Sequence, residues 1–294
     1  MKKLKLKFDH KATKFTKSNL KCFAALSAYI YEDSTDFMDT VKYRIGKKSF
    51  EKKIIKDDKI GTQIVTYRLL KKKEDHIIIT FRGSLELKDW WTNSKFNLTK
   101  IRDEVGNKLK GKVHNGFHQI LQSLWPMLSD YLAKYPHARL WFTGHSLGGA
   151  LAVLSAYKLC DTYMIKGIYT FGQPRIGNTK FMHHYNSILF DKTFRVVHDK
   201  DIVARIPTQS MSYSHVGDLI FIKGKGKVLK GNEKWSYWVT FWERVSVFLD
   251  EIRNLEMIED HLISNYINAI FDSKKAMRKL QRQNQFVLRN SRIR

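Results

Sequence analysis

A serine between two glycines lies at a point where an apolar run passes into a helical pattern. The motif is Gly144-x-Ser146-x-Gly148. Residues 138–142 predict a short buried strand, and residues 150–159 predict a buried helix. A sharp turn between them would lift the serine Oγ above the end of a sheet, and its tight backbone favours glycine on both sides. The pattern therefore predicts a nucleophile. The alternative is a glycine-rich turn in which Ser146 only caps the helix.

A serine hydroxyl is a weak nucleophile at its ordinary pKa, so it needs a histidine base. The histidine in turn needs a carboxylate that fixes its tautomer. In sheets of this kind the chain order is serine, then acid, then histidine. The acids that follow a predicted strand after Ser146 are Asp191, Asp199 and Asp201. We favour Asp201, which opens the loop leading to Pro207, and keep Asp199 as the second choice.

The same order selects the base. Three histidines precede the acid and break the order: His183, His184 and His198. His215 follows Asp201 closely and precedes the predicted strand at 219–222, and a structural role on a loop carbonyl would explain it equally. His261 comes after that strand, which leaves room for the chain to return to the sheet edge. We favour His261 and keep His215 as the alternative.

An oxyanion formed at an ester carbonyl needs hydrogen-bond donors. The Leu147 N–H lies at the N-terminus of the predicted helix, aimed where that charge would form. Ser84 comes three residues after the end of the predicted strand at 75–81 and could offer a second donor, although the residues alone favour a simple turn. The amphipathic segment 85–93, with paired tryptophans at 90 and 91, is either a movable cover or a fixed surface helix.

The elements that must position these residues form an alternating series. The predicted strands lie at 60–69, 75–81, 138–142, 166–171, 194–197 and 219–222, and the predicted helices at 20–31, 117–134 with a bend at Pro126, 150–159 and from 262 onward. Strand and helix alternate through the middle of the chain, which predicts an α/β fold with a parallel sheet and crossover helices. The candidate residues lie in loops beyond strand C-termini, where such folds hold their sites.

Composition points to a globular protein with an extreme charge. The 294 residues include 53 Lys+Arg against 28 Asp+Glu, a net charge of +25. This field favours an anionic partner such as a membrane rich in acidic lipids, although a lysine-rich proteome would give the same bias without a partner. We do not expect nucleic-acid binding, because the sequence has no stacking motif or reader module.

Cysteine and histidine usage adds two expectations. Cys22 and Cys160 both lie in apolar helical patterns, which fits reduced core residues and a reducing compartment. His114 and His118 have the i,i+4 spacing of a metal pair, but no third ligand is nearby, so we expect no metal site.

Charge and apolar runs also suggest the domain limits. We expect a basic arm at 1–17 that is mobile or an edge strand, one domain at 18–271, and a basic tail at 272–294 outside the core. The arm has no apolar stretch typical of a secretion signal, and no apolar run reaches the ~20 residues needed to span a bilayer. We therefore expect a cytoplasmic or peripheral membrane protein, with leaderless secretion left open.

Taken together, the motifs resemble the fungal-type class 3 lipase family. They occur in the family's order between about residues 60 and 270. The segments that carry the likeness are Thr80–Ser84, Asp89–Trp90, Val113–Phe117, Thr143–Ala150, Thr170–Asn178, Arg195–Val197 with Asp201, Ser214–Gly217 and Asp260–His261. The resemblance implies an α/β-hydrolase fold with a mostly parallel central sheet flanked by helices, and activity on carboxylic esters of lipids without a metal or cofactor.

The resemblance also assigns roles to individual residues. It implies Ser146 as nucleophile, Asp201 as acid and His261 as base, with oxyanion donors at Ser84 and Leu147. It implies a lid over residues 85–91, with the substrate-facing side chains Leu85, Leu87, Trp90 and Trp91. Phospholipase A1 activity and a non-catalytic lipid-binding protein on the same scaffold are the alternatives, and the oligomeric state stays open.

Three positions depart from the family's usual residues. His198 stands where the family often has Asn, Ala204 where it has Pro, and Asn93 where it has Asp. These differences concern the geometry of loops and leave the proposed triad intact.

Overall fold

The computed structural model describes residues 5–32, 41–57, 61–70, 74–83, 96–102, 106–107, 109–198, 201–223, 227–230 and 261–282. Within these residues the main sheet consists of β1 (Val41–Ile45), β2 (Lys48–Asp57), β3 (Thr62–Leu69), β4 (His76–Phe81), β7 (Arg139–His145), β8 (Met164–Phe171), β10 (Thr193–His198), β12 (Asp218–Lys223) and β13 (Lys227–Lys230). A small second sheet consists of β5 (Leu98–Thr99), β6 (Val113–His114), β9 (Gly177–Asn178) and β11 (Tyr213–Ser214). The helices are α1 (Lys17–Tyr29), α2 (Asn115–Ala133), α3 (Leu147–Leu159), α4 (Thr179–Leu189) and α5 (Ile263–Ile270).

The main sheet has a parallel centre and antiparallel edges. Its strand order is β1-β2-β3-β4-β7-β8-β10-β12-β13. Strands β4, β7, β8, β10 and β12 run parallel, whereas β1 to β4 and the pair β12–β13 are antiparallel. All six residues of β4 are buried, as expected for a strand covered on both faces. The predicted α/β class with a mostly parallel central sheet is therefore confirmed.

Helices cover both faces of this sheet. One apolar cluster joins α1 and α5 to the sheet through residues such as Phe23, Trp141 and Tyr266. The other joins α2, α3 and α4 to the opposite face. Every residue of α3 is buried, so the turn that begins this helix is held by packing from all sides. In the described part of the chain, no helix combines the length and apolarity that a bilayer crossing requires.

Two predicted helices are present, and each begins two or three residues before its predicted position. Helix α1 begins after Thr16, whose side chain accepts a hydrogen bond of 3.1 Å from the Asn19 N–H and so caps the helix. Helix α2 includes Pro126 in its interior and continues to Ala133.

The N-terminal arm differs from its predicted mobile or edge-strand form. Leu6 and Phe8 are buried, while Lys5 and Lys7, which alternate with them, are exposed. The Phe8 ring lies edge-on to Trp141, with 5.3 Å between the ring centroids. An extended chain points alternate side chains in opposite directions. The arm can therefore keep its lysines in water and still add two apolar side chains to the core.

The basic tail also departs from its predicted place outside the core. Residues 276–282 are helical, and Ala276 and Leu280 are completely buried. These two side chains are four residues apart and therefore share one helix face. The described part of the tail, 272–282, thus packs on the same face of the sheet as α1 and α5.

The packing of the arm leads to a stability prediction. We expect Phe8→Ala to lower the free energy of unfolding by about 3 kcal/mol or more, because a buried aromatic side chain is lost and a cavity remains. The control is Lys5→Ala, which removes an exposed side chain from the same arm. Urea unfolding of both variants is the measurement, and equal stabilities would contradict the observed packing.

Candidate active site

Ser146 occupies the turn between β7 and α3 in a strained conformation. Its φ is 57° and its ψ is −127°, a backbone region that costs a non-glycine residue about 1–3 kcal/mol. The surrounding sheet holds it there. The Ser146 N–H donates to the Phe171 carbonyl at 2.9 Å, and the Ser146 carbonyl accepts from the Gly149 N–H at 2.9 Å. The side chain is completely buried.

Both flanking glycines are required by close backbone contacts. A Cβ on Gly144 would lie 2.3 Å from the carbonyl carbon and oxygen of Gly148. A Cβ on Gly148 would lie 2.2 Å from the carbonyl oxygen of Phe81, the last residue of β4. The strand–turn–helix unit predicted from the sequence is therefore present, and its tightness explains both glycines.

Asp201 and His261 form a hydrogen-bonded pair from which water is excluded. The His261 Nδ1 lies 3.0 and 2.9 Å from the two carboxylate oxygens of Asp201, and neither residue has any exposed surface. The carboxylate also accepts from the Tyr266 hydroxyl and, at 2.9 Å, from the Val203 N–H. Because an ionised carboxylate only accepts, His261 Nδ1 carries a proton and Nε2 is left to act as a base.

The surroundings of Asp201 favour its ionised form. Burial alone would raise the pKa of this carboxyl group. The nearby His261 and the hydrogen bonds from His261 and Tyr266 outweigh burial, so the pKa lies below its ordinary value.

Gly172 connects this pair to the serine turn. It directly follows Phe171, the residue that binds the Ser146 N–H. Its φ is +58°, and a Cβ there would lie 2.7 Å from an Asp201 carboxylate oxygen and 2.8 Å from His261 Nδ1. Only glycine fits this backbone and this contact. The end of β8 therefore contacts the serine on one side and the acid–histidine pair on the other.

The two atoms that would exchange a proton are both buried. Ser146 Oγ and His261 Nε2 make no hydrogen bond to any residue within the described ranges. Such bonds are often long in ligand-free enzymes and shorten when substrate binds. The arrangement can therefore serve nucleophilic attack on a carbonyl without first breaking a competing bond.

Other sequence candidates have different surroundings. His215 lies near Arg195 and Arg175 and donates to the Ala204 carbonyl, which is the structural role considered as its alternative. Asp191 lies in an exposed 3-10 turn. His114 is buried, and its Nδ1 accepts from the Phe117 N–H at the start of α2.

Leu147 is the first residue of α3, so its N–H is among the amides that have no partner within the helix. The remaining predictions lie outside the described residues: Ser84, Asp199, and the lid residues Leu85, Leu87, Trp90 and Trp91.

Sequence reasoning missed three residues next to the pair. Tyr266 binds the acid, as described above. His145, inside the serine motif itself, has its ring 4.5 Å from that of His261. Tyr31 binds His145 Nδ1 at 3.0 Å. The sequence indicates a place near the site only for His145, which is adjacent to Ser146. Tyr266 and Tyr31 reach the site through contacts between distant parts of the chain.

Comparison with known proteins gives these features a context. Residues 78–211 match the family model for class 3 lipases. A lipase of Rhizopus niveus is 31% identical over 167 residues, which cover 53% of this chain and 41% of that lipase. The chain thus spans about two fifths of that relative's length.

Two solved structures are similar in fold. The Rhizomucor miehei lipase propeptide complex has a TM-score of 0.56 at 25% identity, covering 72% of this chain and 70% of that one. A lipase of Rhizopus microsporus var. chinensis has a TM-score of 0.54 at 25% identity, covering 78% of this chain and 84% of that one. The sheet with its strained serine turn is therefore an α/β-hydrolase fold. The segment that matches the class 3 lipase model contains both Ser146 and Asp201.

Proposed function

We propose that this protein is a serine hydrolase that cleaves carboxylic ester bonds of lipids through an acyl-enzyme on Ser146. The observation that carries the proposal is the buried Asp201–His261 pair, which packs against the same strand end that fixes the serine turn. The lipase names of the relatives from Rhizopus niveus and Rhizomucor miehei support the substrate class.

In the first half of the reaction, Ser146 Oγ attacks the ester carbonyl carbon. His261 Nε2 takes the hydroxyl proton, and Asp201 stabilises the imidazolium that forms. When the tetrahedral intermediate collapses, the C–O bond to the alcohol breaks and His261 returns the proton to the leaving oxygen. In the second half, a water molecule gives its proton to His261 and attacks the acyl group. The acid then leaves, and Ser146 regains its proton.

The oxyanion of both intermediates needs fixed donors. The Leu147 N–H at the start of α3 is one, and removing such a donor typically costs ~3 kcal/mol of the barrier. We propose Ser84 as the second. Ser84 follows Gly83, and a Cβ on Gly83 would lie 3.4 Å from the Ser146 Cβ. The residue before Ser84 therefore lies beside the proposed nucleophile.

We also propose that the enzyme works at an anionic lipid surface. The net charge of +25 supplies a long-range attraction to such a surface. Leu262, the residue after the proposed base, has 47% of its surface exposed and offers an apolar contact at the site. In this proposal, residues 85–91 form the lid through which the lipid enters.

The nucleophile is tested by Ser146→Ala. We expect hydrolysis of p-nitrophenyl esters to fall by at least ~10³-fold with folding retained, because the hydroxyl that forms the proposed acyl-enzyme is lost. The matched control is Ser155→Ala, a buried serine on the same helix, which should keep its turnover. Unchanged turnover in Ser146→Ala would exclude the proposed role.

The base and the acid are tested by two pairs of variants. We expect His261→Gln and Asp201→Asn each to lower kcat by roughly 10³- to 10⁴-fold, because the proton acceptor or its tautomer is lost. The controls are His215→Gln and Asp191→Asn, the candidates that lie apart from the pair, and both should stay near wild type. A large loss in His215→Gln with an active His261→Gln would reverse the assignment of the base.

The surface proposal is tested with vesicles. We expect binding to phosphatidylglycerol-containing vesicles at low salt, and release at about 0.5 M NaCl, because salt screens the attraction. Vesicles of phosphatidylcholine alone are the control for charge. Binding that salt does not change would argue against an electrostatic contact.

A further inference from the structure

A chain of hydrogen bonds runs from the end of β4 to the main chain of the proposed base. The Gly83 N–H donates to the Tyr31 hydroxyl oxygen. The Tyr31 hydroxyl lies 3.0 Å from His145 Nδ1, and His145 Nε2 lies 2.7 Å from the carbonyl oxygen of His261. Four residues from distant parts of the sequence are thus joined in a single line beside Ser146.

The chemistry of the groups fixes the direction of these bonds. Burial, together with the nearby His261, lowers the pKa of His145 to about 3, so its ring is neutral and carries one N–H. The His261 carbonyl can only accept, and the proton therefore resides on His145 Nε2. His145 Nδ1 must then accept from the Tyr31 O–H, and the Tyr31 oxygen remains able to accept from Gly83.

Steric contacts keep the same groups together. A Cβ on Gly83 would lie 2.2 Å from the Tyr31 hydroxyl and 2.7 Å from the His145 carbonyl oxygen. The Gly83 backbone is therefore pressed between the tyrosine and the serine turn. The Arg82 guanidinium lies 5.9 Å from the centre of the Tyr31 ring and holds the other side of the tyrosine by a cation–π contact.

We propose that Tyr31 and His145 are positioning residues that keep the base His261 in register with Gly83 and the serine turn. The inference rests on the proposed serine hydrolase function. His261 is oriented through its ring by Asp201 and through its carbonyl by His145, so both its position and its ring direction are set before substrate arrives.

A neutral ring at position 145 is part of this role. The His145 and His261 rings are only 4.5 Å apart, so a charge on His145 would oppose the imidazolium that His261 forms during the reaction. The tyrosine donor satisfies Nδ1 without adding a charge. The arrangement therefore positions the base without weakening it.

The first variant to test is Tyr31→Phe, which removes the hydroxyl and keeps the ring. We expect kcat on p-nitrophenyl esters to fall about 10- to 100-fold with KM changed less than about twofold, because small misplacement of reacting groups slows the chemical step. The labelling rate of Ser146 by a fluorophosphonate should fall by a similar factor. The matched control is Tyr185→Phe, which removes another buried hydroxyl, bonded to Thr193 Oγ1 at 2.8 Å, and should label at the wild-type rate.

The second pair of variants separates positioning from packing. His145→Gln keeps an N–H that can reach the His261 carbonyl, whereas His145→Leu fills similar space without a donor. We expect His145→Gln to retain at least about tenfold more activity than His145→Leu. Equal activities in these two variants would show that only volume matters at position 145 and would overturn the inference.

The outcomes also distinguish failure of this inference from failure of the proposed serine hydrolase function. If the wild-type protein does not label at Ser146, the proposed function fails and the inference fails with it. If the wild type labels and Tyr31→Phe labels equally fast, or changes only KM, the inference alone is wrong. A slower Tyr31→Phe beside an unaffected Tyr185→Phe supports it.

Discussion

The buried carboxylate of Asp201 constrains the site more than any other group. Removing an unpaired charge of this kind from water would cost several kcal/mol. The carboxylate therefore needs hydrogen-bond donors from the groups around it. The His261 ring, the Tyr266 hydroxyl and the Val203 N–H are these donors. They come from the chain before α5, from α5 itself and from the turn after β10. One charge thereby fixes the relative positions of three segments, and the absence of a Cβ on Gly172 leaves room for them.

The sequence predicted the central sheet and helix α3 because these elements have clear periodicity and apolar runs. It also predicted the pairing of Asp201 with His261, since chain order excluded the histidines that precede the acid. That these residues carry out catalysis stays a prediction, as do Ser84 and the lid. The positions of His145 and Tyr31 near the site could not be predicted from the sequence. Their contact joins residues 114 positions apart, and no local sequence pattern indicates it.

The same limits explain the errors at the two basic segments. Lysine content suggested an arm that is mobile or an edge strand and a tail outside the core. However, Leu6 and Phe8 alternate with the lysines, and Ala276 and Leu280 share a helix face. Composition averages over positions, whereas burial depends on the direction of each side chain. In the arm, Lys5 and Lys7 are exposed, while Leu6 and Phe8 are buried and the Phe8 ring packs on Trp141.

The placement of α1 beside α5 has a consequence for how the protein becomes competent during synthesis. Tyr31 follows α1, whereas His261 precedes α5, so the site closes only when these two distant segments meet on one face of the sheet. A nascent chain that has emerged as far as β12 contains Ser146 but lacks His261, its proposed base. Contacts between residues so far apart in the sequence slow folding, because the entropy of loop closure opposes their formation. With the proposed roles, Ser146 has no base to activate it until the segment that contains His261 has docked.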